Sequence, residues 1–239
     1  MDDIIYLNML KMERTHWWYK GRREIIGKML TPFLPNYSKI LDAGCGAGGN
    51  MEFMGKYGSV VGIDISKEMI EHCCMRGLSA TCGSIENTPF ADGDFDVILC
   101  LDVLEHLPDE ELVLRELKRV VRSGGIMVFS VPAFDWLWGT HDDQNNHFRR
   151  YNYRQVVRIL KKADLTILRS TYFNFFLLPF IWCVRRLSAD RLIVRQTDLE
   201  LGAGCCNHIL YKLLKLEGLL LNFTNLPVGV SQIVICRKK

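Results

Sequence analysis

The sequence contains no Cys-x-x-Cys pair, although it holds nine cysteines. The usual ligand spacing of a structural zinc site is therefore missing. The count is odd, and thiols sit inside apolar runs such as Asp96-Val-Ile-Leu-Cys100. That pattern fits buried free thiols in a reducing cytoplasm, not a disulfide framework. Charge of one sign is also lacking, since 30 Lys and Arg against 27 Asp and Glu leave a net charge of +3. A strongly basic domain is the usual footprint of nucleic-acid binding, so no nucleic-acid partner is expected. Long apolar runs are absent: the longest, Phe175 to Val184, has ten residues, about half of a membrane-spanning helix. No Pro/Ser-rich linker, low-complexity tract or repeat divides the chain. The N-terminus, Met1-Asp-Asp-Ile, is acidic and lacks a signal-peptide pattern. The expectation is one domain over residues 1–239, cytoplasmic, and either soluble or peripheral to a membrane.

With 49% hydrophobic residues the chain can bury one large core. Helices are predicted over 2–13 and 17–30, joined by the aromatic run His16-Trp-Trp-Tyr19 and closed by Pro32 and Pro35. From Lys39 short apolar runs alternate with amphipathic segments. Strands are predicted at 40–41, 60–63, 79–82, 95–101, 126–131, 165–173 and 228–236. Helices are predicted near 48–56, 66–76, 109–121, 153–163, 175–187 and 206–221. Ser66 and Asp109 are the expected caps, and Gly124-Gly125 the expected helix stop. Such alternation means βαβ units, a mostly parallel sheet and helices on both faces. Residues 133–150 and 174–226 read as insertions on that sheet, and 1–37 as an N-terminal helical lid.

The most informative stretch is Ile40-Leu-Asp-Ala-Gly-Cys-Gly-Ala-Gly-Gly49. Glycines after a strand let the backbone approach a ligand closely. Gly44, Gly46 and Gly48 fit G-x-G-x-G, while Gly44, Gly46 and Gly49 equally fit a dinucleotide fingerprint. A carboxylate at Asp42 would repel a pyrophosphate and suits a cationic amino-acid portion. Asp64, at the end of the second strand, can accept ribose hydroxyls in either cofactor class.

Taken in order, Ile40–Gly49, Asp64, Gly83-Ser-Ile-Glu-Asn-Thr-Pro-Phe90 and Phe95-Asp-Val-Ile-Leu-Cys-Leu-Asp-Val-Leu-Glu-His106 resemble successive motifs of the class I S-adenosylmethionine-dependent methyltransferases, ubiquinone-pathway enzymes among them. The likeness covers roughly residues 38–173. It implies an α/β, Rossmann-like three-layer sandwich whose seven-stranded sheet is parallel except for the last strand. It also implies S-adenosyl-L-methionine as cofactor. Asp42, Gly44, Cys45, Gly46 and Gly48 would hold its methionine side, Asp64 and Ile65 its ribose, Ser84 and Ile85 its adenine, with Cys100 and Leu101 beside it. Many relatives carry Asp where this chain has Ser84. Trp18 and one arginine of the pair Arg22 and Arg23, with Arg23 the candidate, would close the lid over the methionine carboxylate.

Methyl transfer depends mainly on in-line alignment, and an oxygen nucleophile is helped by a base, most often a histidine. Three candidates follow: His106, and His141 and His147 in His141-Asp-Asp-Gln-Asn-Asn-His-Phe-Arg-Arg-Tyr151, where Arg149 or Arg150 could meet an anionic substrate group. If helical, Asp102, Glu105 and His106 share one face. No metal is expected there, because no further oxygen ligands are assigned. The segment 173–195, aromatic then basic, reads as a core or dimer helix or as a peripheral membrane contact, in a monomer or homodimer. The expected function is methylation, by O-methylation first, of a small-molecule or lipid-linked acceptor. Alternatives are an N- or C-methyltransferase and a non-catalytic S-adenosylmethionine-binding or partner-binding module.

Overall fold

In the computed structural model, β1 (Ser38–Ala43), β2 (Gly58–Asp64), β3 (Ser79–Cys82), β4 (Phe95–Leu101), β5 (Val121–Pro132), β6 (Leu165–Phe173) and β7 (Ser231–Lys238) form one sheet. Their order is β3-β2-β1-β4-β5-β7-β6. Strands β1 to β5 pair in parallel, and β7 runs antiparallel to both β5 and β6. The expected α/β sheet, parallel except for its last strand, is thus found. The structure describes residues 10, 12–187 and 206–239. The helix expected over 2–13 falls largely outside those residues, as does 188–205 of the expected C-terminal insertion and membrane-facing stretch.

Period-two alternation gives the sheet two apolar faces. One carries Ile40, Val97, Leu99, Val128 and Ile235, packed under α1 (Trp17–Leu30) through Ile25, Ile26, Met29 and Leu30. The other carries Leu41, Ile98, Cys100, Phe129 and Val234. It is covered by α4 (Glu110–Val120) and α6 (Tyr153–Lys162). Each such aliphatic side chain contributes roughly 1.5–3 kcal/mol when fully buried. Between β1 and β2 lies α2 (Gly49–Met54), and between β2 and β3 lies α3 (Lys67–Met75). Ser66 Oγ accepts the Met69 N–H at 3.3 Å, and Asp109 Oδ1 accepts those of Glu111 and Leu112. Both predicted caps are formed.

Two expectations are corrected. The glycines 124 and 125 do not stop a helix. The chain passes from α4 directly into β5 at Val121, and both glycines lie inside that strand, opposite an irregularity between Phe95 and Val97. Asp102, Glu105 and His106 do not share a helix face either. Asp102 adopts φ +56°, and only Leu104–His106 form a 3-10 turn. Asp102 instead takes an ion pair from Arg22 and a hydrogen bond from Ser130 Oγ at 2.8 Å. Those partners lie far away in sequence and override the local pattern.

The described part of the second half supplies the roof of the site. Residues 133–150 contain α5 (Thr140–Gln144), and residues 174–226 contain α7 (Leu178–Leu187) and α8 (Cys206–Leu220). Helix α8 packs on α1: the Trp17 N–H donates to Asn207 Oδ1 at 2.7 Å, and Tyr211 Oη donates to Glu24.

Candidate cofactor and acceptor site

A cavity of about 510 Å³ opens at the C-terminal ends of β1, β2, β4 and β5. That is the edge where open α/β sheets bind ligands, and the size suits a nucleoside-sized molecule. Its floor is the loop after β1. Gly44 and Gly48 there have φ +79° and +83°. A Cβ on Gly44 would lie 2.5 Å from Val103, and one on Gly48 would lie 2.6 Å from Leu78. Side chains at these positions would be both strained and obstructed. The Gly46 N–H donates to Asp64 Oδ2 and the Ser66 N–H to Asp64 Oδ1, each at 2.9 Å. These bonds fix the carboxylate at the cavity rim, and each oxygen keeps a lone pair for a ligand hydroxyl. Further along, Gly83, Ser84, Ile85 and Glu86 form one wall.

The opposite end is closed by the N-terminal segment. Arg22, almost fully buried, pairs with Asp102 and stacks over Trp18, its guanidinium carbon 4.3 Å from the ring centre. Burial lowers its pKa to about 10, leaving it charged at neutral pH. Its Nε has no partner among the described residues. Glu13 and Asn50 also line this end.

The third wall is polar. Asp142, fully buried, accepts His147 Nδ1–H at 2.9 Å, Arg150 Nε at 2.8 Å and the Gly139 N–H at 2.9 Å. Although burial opposes it, His147 and Arg150 together hold the Asp142 carboxyl well below the usual range. An ionised Asp142 fixes the proton on Nδ1 of His147 and leaves Nε2 as the basic nitrogen. His106 stacks edge-on against His147 with ring centres 4.6 Å apart. Burial first, and His147 second, push its pKa down to about 4, so it is neutral near pH 7. Burial raises Glu105 to about 8. Ligand atoms of Glu105, His106 and His147 lie within 4.8 Å of one another. The roof is apolar, from Leu177, Phe180 and Ile181 near α7 and Leu210 on α8.

Most predicted residues meet at this one cavity: Trp18, Gly44, Cys45, Gly46, Asp64, Ile65, Ser84, Ile85, Leu101, His106, His141 and His147 all line it. Four cofactor candidates do not. Asp42 is fully buried beneath the loop, and burial, then Glu13, raises its pKa well above the carboxylate range. A direct contact with the ligand was expected of it, but it does not line the cavity. Gly48 shapes the loop against α3, and Cys100 faces the sheet layer under α4 and α6. Arg23 is turned away, with Nη2 donating to the Glu13 carbonyl at 2.5 Å, and Arg22, not Arg23, lines this end of the cavity. Arg149 pairs with Glu110 outside it, whereas Arg150 lines it. Ser84 Oγ closes a turn by accepting the Glu86 N–H at 3.1 Å. Glu86 and Glu13 also line the cavity, where neither was expected. Glu86 is two residues from the expected acid, a usable signal; Glu13 precedes every motif and offers none.

The residues present fit a nucleoside with a charged amino-acid tail. Asp64 stands where a ribose would lie, and a buried, unpartnered Glu13 Oε2 and Arg22 Nε stand at the other end. Comparison with known proteins agrees. Residues 41–129 match the family described as a methyltransferase domain. The ubiquinone biosynthesis O-methyltransferase of Vibrio parahaemolyticus is 38% identical over 158 residues, covering 57% of this chain and 67% of that one. That of Methylococcus capsulatus is 37% identical over 100 residues, covering 38% and 42%. Among solved structures, a SAM-dependent methyltransferase from Archaeoglobus fulgidus superposes with a TM-score of 0.60 at 16% identity, covering 99% of this chain and 100% of that one. The geranyl diphosphate C-methyltransferase of Streptomyces coelicolor, solved with S-adenosyl-L-homocysteine, gives 0.59 at 14% identity, covering 89% and 78%. These two likenesses show the fold; the curated relatives add the family. A glycine loop beneath a nucleoside-sized cavity, an acid at the end of β2 and a sequence match running through both place the chain among the class I methyltransferases, whose cofactor is S-adenosyl-L-methionine.

Proposed function

We propose that this protein transfers the methyl group of S-adenosyl-L-methionine to a hydroxyl oxygen of an apolar, small-molecule or lipid-linked acceptor. The observation that carries this reading is the His147–Asp142 pair in the cavity wall. When bound, the cofactor supplies an electrophilic methyl group on a positively charged sulfur. The protein's own residues do the rest. Asp64 holds the ribose, Arg22 Nε meets the carboxylate, and 1–37 serves as the lid over both. Asp142 orients His147 so that Nε2 takes the proton of the acceptor hydroxyl as the new carbon–oxygen bond forms. His106, kept neutral by burial, adds no repelling charge beside it. Leu177, Phe180, Ile181 and Leu210 give the acceptor a dry, apolar surround.

The similar proteins named as ubiquinone biosynthesis O-methyltransferases support oxygen as the accepting atom. Peripheral membrane contact is supported by exposed Phe176 and Trp182 beside the cavity roof. No helix among the described residues is long and apolar enough to cross a membrane. The test is turnover of labelled S-adenosylmethionine over a panel of phenolic and polyprenylated acceptors, with the wild type and His147→Ala. The substitution should cost roughly 10²-fold or more in kcat and leave S-adenosylhomocysteine affinity unchanged. Binding of the cofactor without turnover across the panel would favour a non-catalytic module.

A second reading follows from the Glu105–His106–His147 cluster. A divalent cation held there would acidify the acceptor hydroxyl and occupy His147. Activity lost with a chelator and restored by added metal would select it over the base.

A further inference from the structure

Glu13 lies in the segment before α1, outside every motif that carries the family likeness. It is 2% exposed and lines the cavity. Its Oε1 accepts the Gly49 N–H at 2.9 Å, which ties the N-terminal segment to the glycine loop. Its Oε2 has no partner among the described residues. A buried carboxylate oxygen left unpaired is costly, and such atoms call for an explanation beyond the protein's own bonds.

The neighbouring cations do not complete it. Arg22 is spent on Asp102, and Arg23 Nη2 is bonded to the Glu13 carbonyl, not the carboxylate. Asp42 is buried as well, with neither oxygen partnered among the described residues, but it does not line the cavity. Across the same end of the cavity Arg22 presents an unpartnered Nε–H. The free acceptor on the Glu13 carboxylate and the free donor on the Arg22 guanidinium, both buried and both at the cavity, match the two charges of an amino-acid zwitterion.

We propose that Glu13 Oε2 binds the α-ammonium of the methyl donor, opposite Arg22 Nε at its carboxylate. The inference rests on S-adenosylmethionine as the donor and adds a residue that the family's motifs do not assign. Its consequence is coupling between two elements. The ligand's ammonium becomes the missing partner of a carboxylate that already bridges the lid segment to the glycine loop, so binding draws the two together.

The test is calorimetric binding to the full chain, which needs no acceptor. Three probes are used: S-adenosylhomocysteine, its analogue without the α-amino group, and 5′-methylthioadenosine, which lacks the whole amino-acid tail. The variant is Glu13→Gln, whose amide oxygen can still accept the Gly49 N–H. Wild type should bind S-adenosylhomocysteine about tenfold or more tightly than the des-amino analogue, as a charge-assisted hydrogen bond requires. Glu13→Gln should erase that difference and leave the des-amino analogue and 5′-methylthioadenosine within about twofold of wild type. Parallel weakening of all three probes would show that Glu13 only braces the loop, and would overturn the proposal. So would unchanged affinity for S-adenosylhomocysteine. Should the variant not fold, the wild-type comparison decides alone: equal affinity with and without the amino group refutes the contact. Failure of wild type to bind any probe would remove the donor assignment, and the Glu13 contact with it.

Discussion

Burial keeps the Glu105 carboxyl protonated up to about pH 8, against 4.5 for an ordinary glutamate. The sign of its effect on stability follows from proton counting. Between those two values the folded chain binds the proton and the unfolded chain has released it, so stability falls as pH rises through that window. Below the lower value the group makes no difference, and above the upper one its cost is complete. Glu105→Gln should therefore stabilise the protein at pH 8.5 by an amount on the order of a few kcal/mol, and by little at pH 4.5. Denaturant unfolding at the two pH values checks this. Equal stabilisation at both would mean that Glu105 is not the titrating group. The Asp64 carboxylate sits at the cavity rim. Asp64→Ala removes the acceptor for the Gly46 and Ser66 N–H groups and the proposed acceptor for the ribose. Its affinity for S-adenosylhomocysteine should fall about tenfold or more, because a buried donor loses its partner. Unchanged affinity would place the ribose elsewhere.

At the scale of elements, α1 and α8 meet at Gly21, where two effects of a methyl group compete. Helix propensity favours alanine over glycine by about 1 kcal/mol. A Cβ at Gly21, however, would lie 2.4 Å from Leu214 Cδ1 and 2.8 Å from Leu214 Cβ. The second atom is fixed to the backbone, so α8 must shift, and overpacking of this kind typically costs about 1–3 kcal/mol. Gly21→Ala should thus destabilise, read as a lower urea midpoint. A more stable single variant would show that the contact between these helices is loose. This contact also marks the boundary of what the sequence could reveal. Strands such as Phe95–Leu101 were legible because each is a short apolar run, and the caps at Ser66 and Asp109 because capping is local. The glycine loop and Asp64 were legible because their spacing is itself the motif. Asp42 misled, because an acid before a glycine loop looks the same in sequence whether it lines the cavity or lies beneath it. Asp102 misled for another reason: its turn is set by Arg22 and Ser130, respectively 80 and 28 residues away.

For the whole molecule, ligand binding and the proposed membrane contact are the two properties that no single element decides. S-Adenosylhomocysteine at about 100 times its Kd should add about 2.7 kcal/mol, or roughly 5–10 °C in Tm for a chain of this size. NADH should add nothing, since Glu13 lines the end of the cavity where a pyrophosphate would need positive charge. The apolar surface makes the last prediction. Ile209, Leu216, Leu220 and Phe223 recur at near-helical spacing along and just beyond α8, and all are exposed. Trp182 is exposed on α7, whose inner side roofs the cavity. Lys212 and Lys215 lie within the same α8 stretch and suit an anionic surface. A protein that takes its acceptor from a lipid layer needs its cavity roof at that layer. Sedimentation with phosphatidylglycerol vesicles should therefore carry the protein down, and phosphatidylcholine vesicles should carry less. Trp182→Ser with Phe223→Ser removes two large apolar anchors that do not line the cavity. The pair should weaken vesicle binding by about tenfold or more, while turnover of a short-chain, water-soluble acceptor stays as in wild type. Turnover of a polyprenylated acceptor in vesicles should fall with the binding. If the double variant sediments like wild type, the exposed stripe serves some other contact, and the acceptor reaches the cavity from solution.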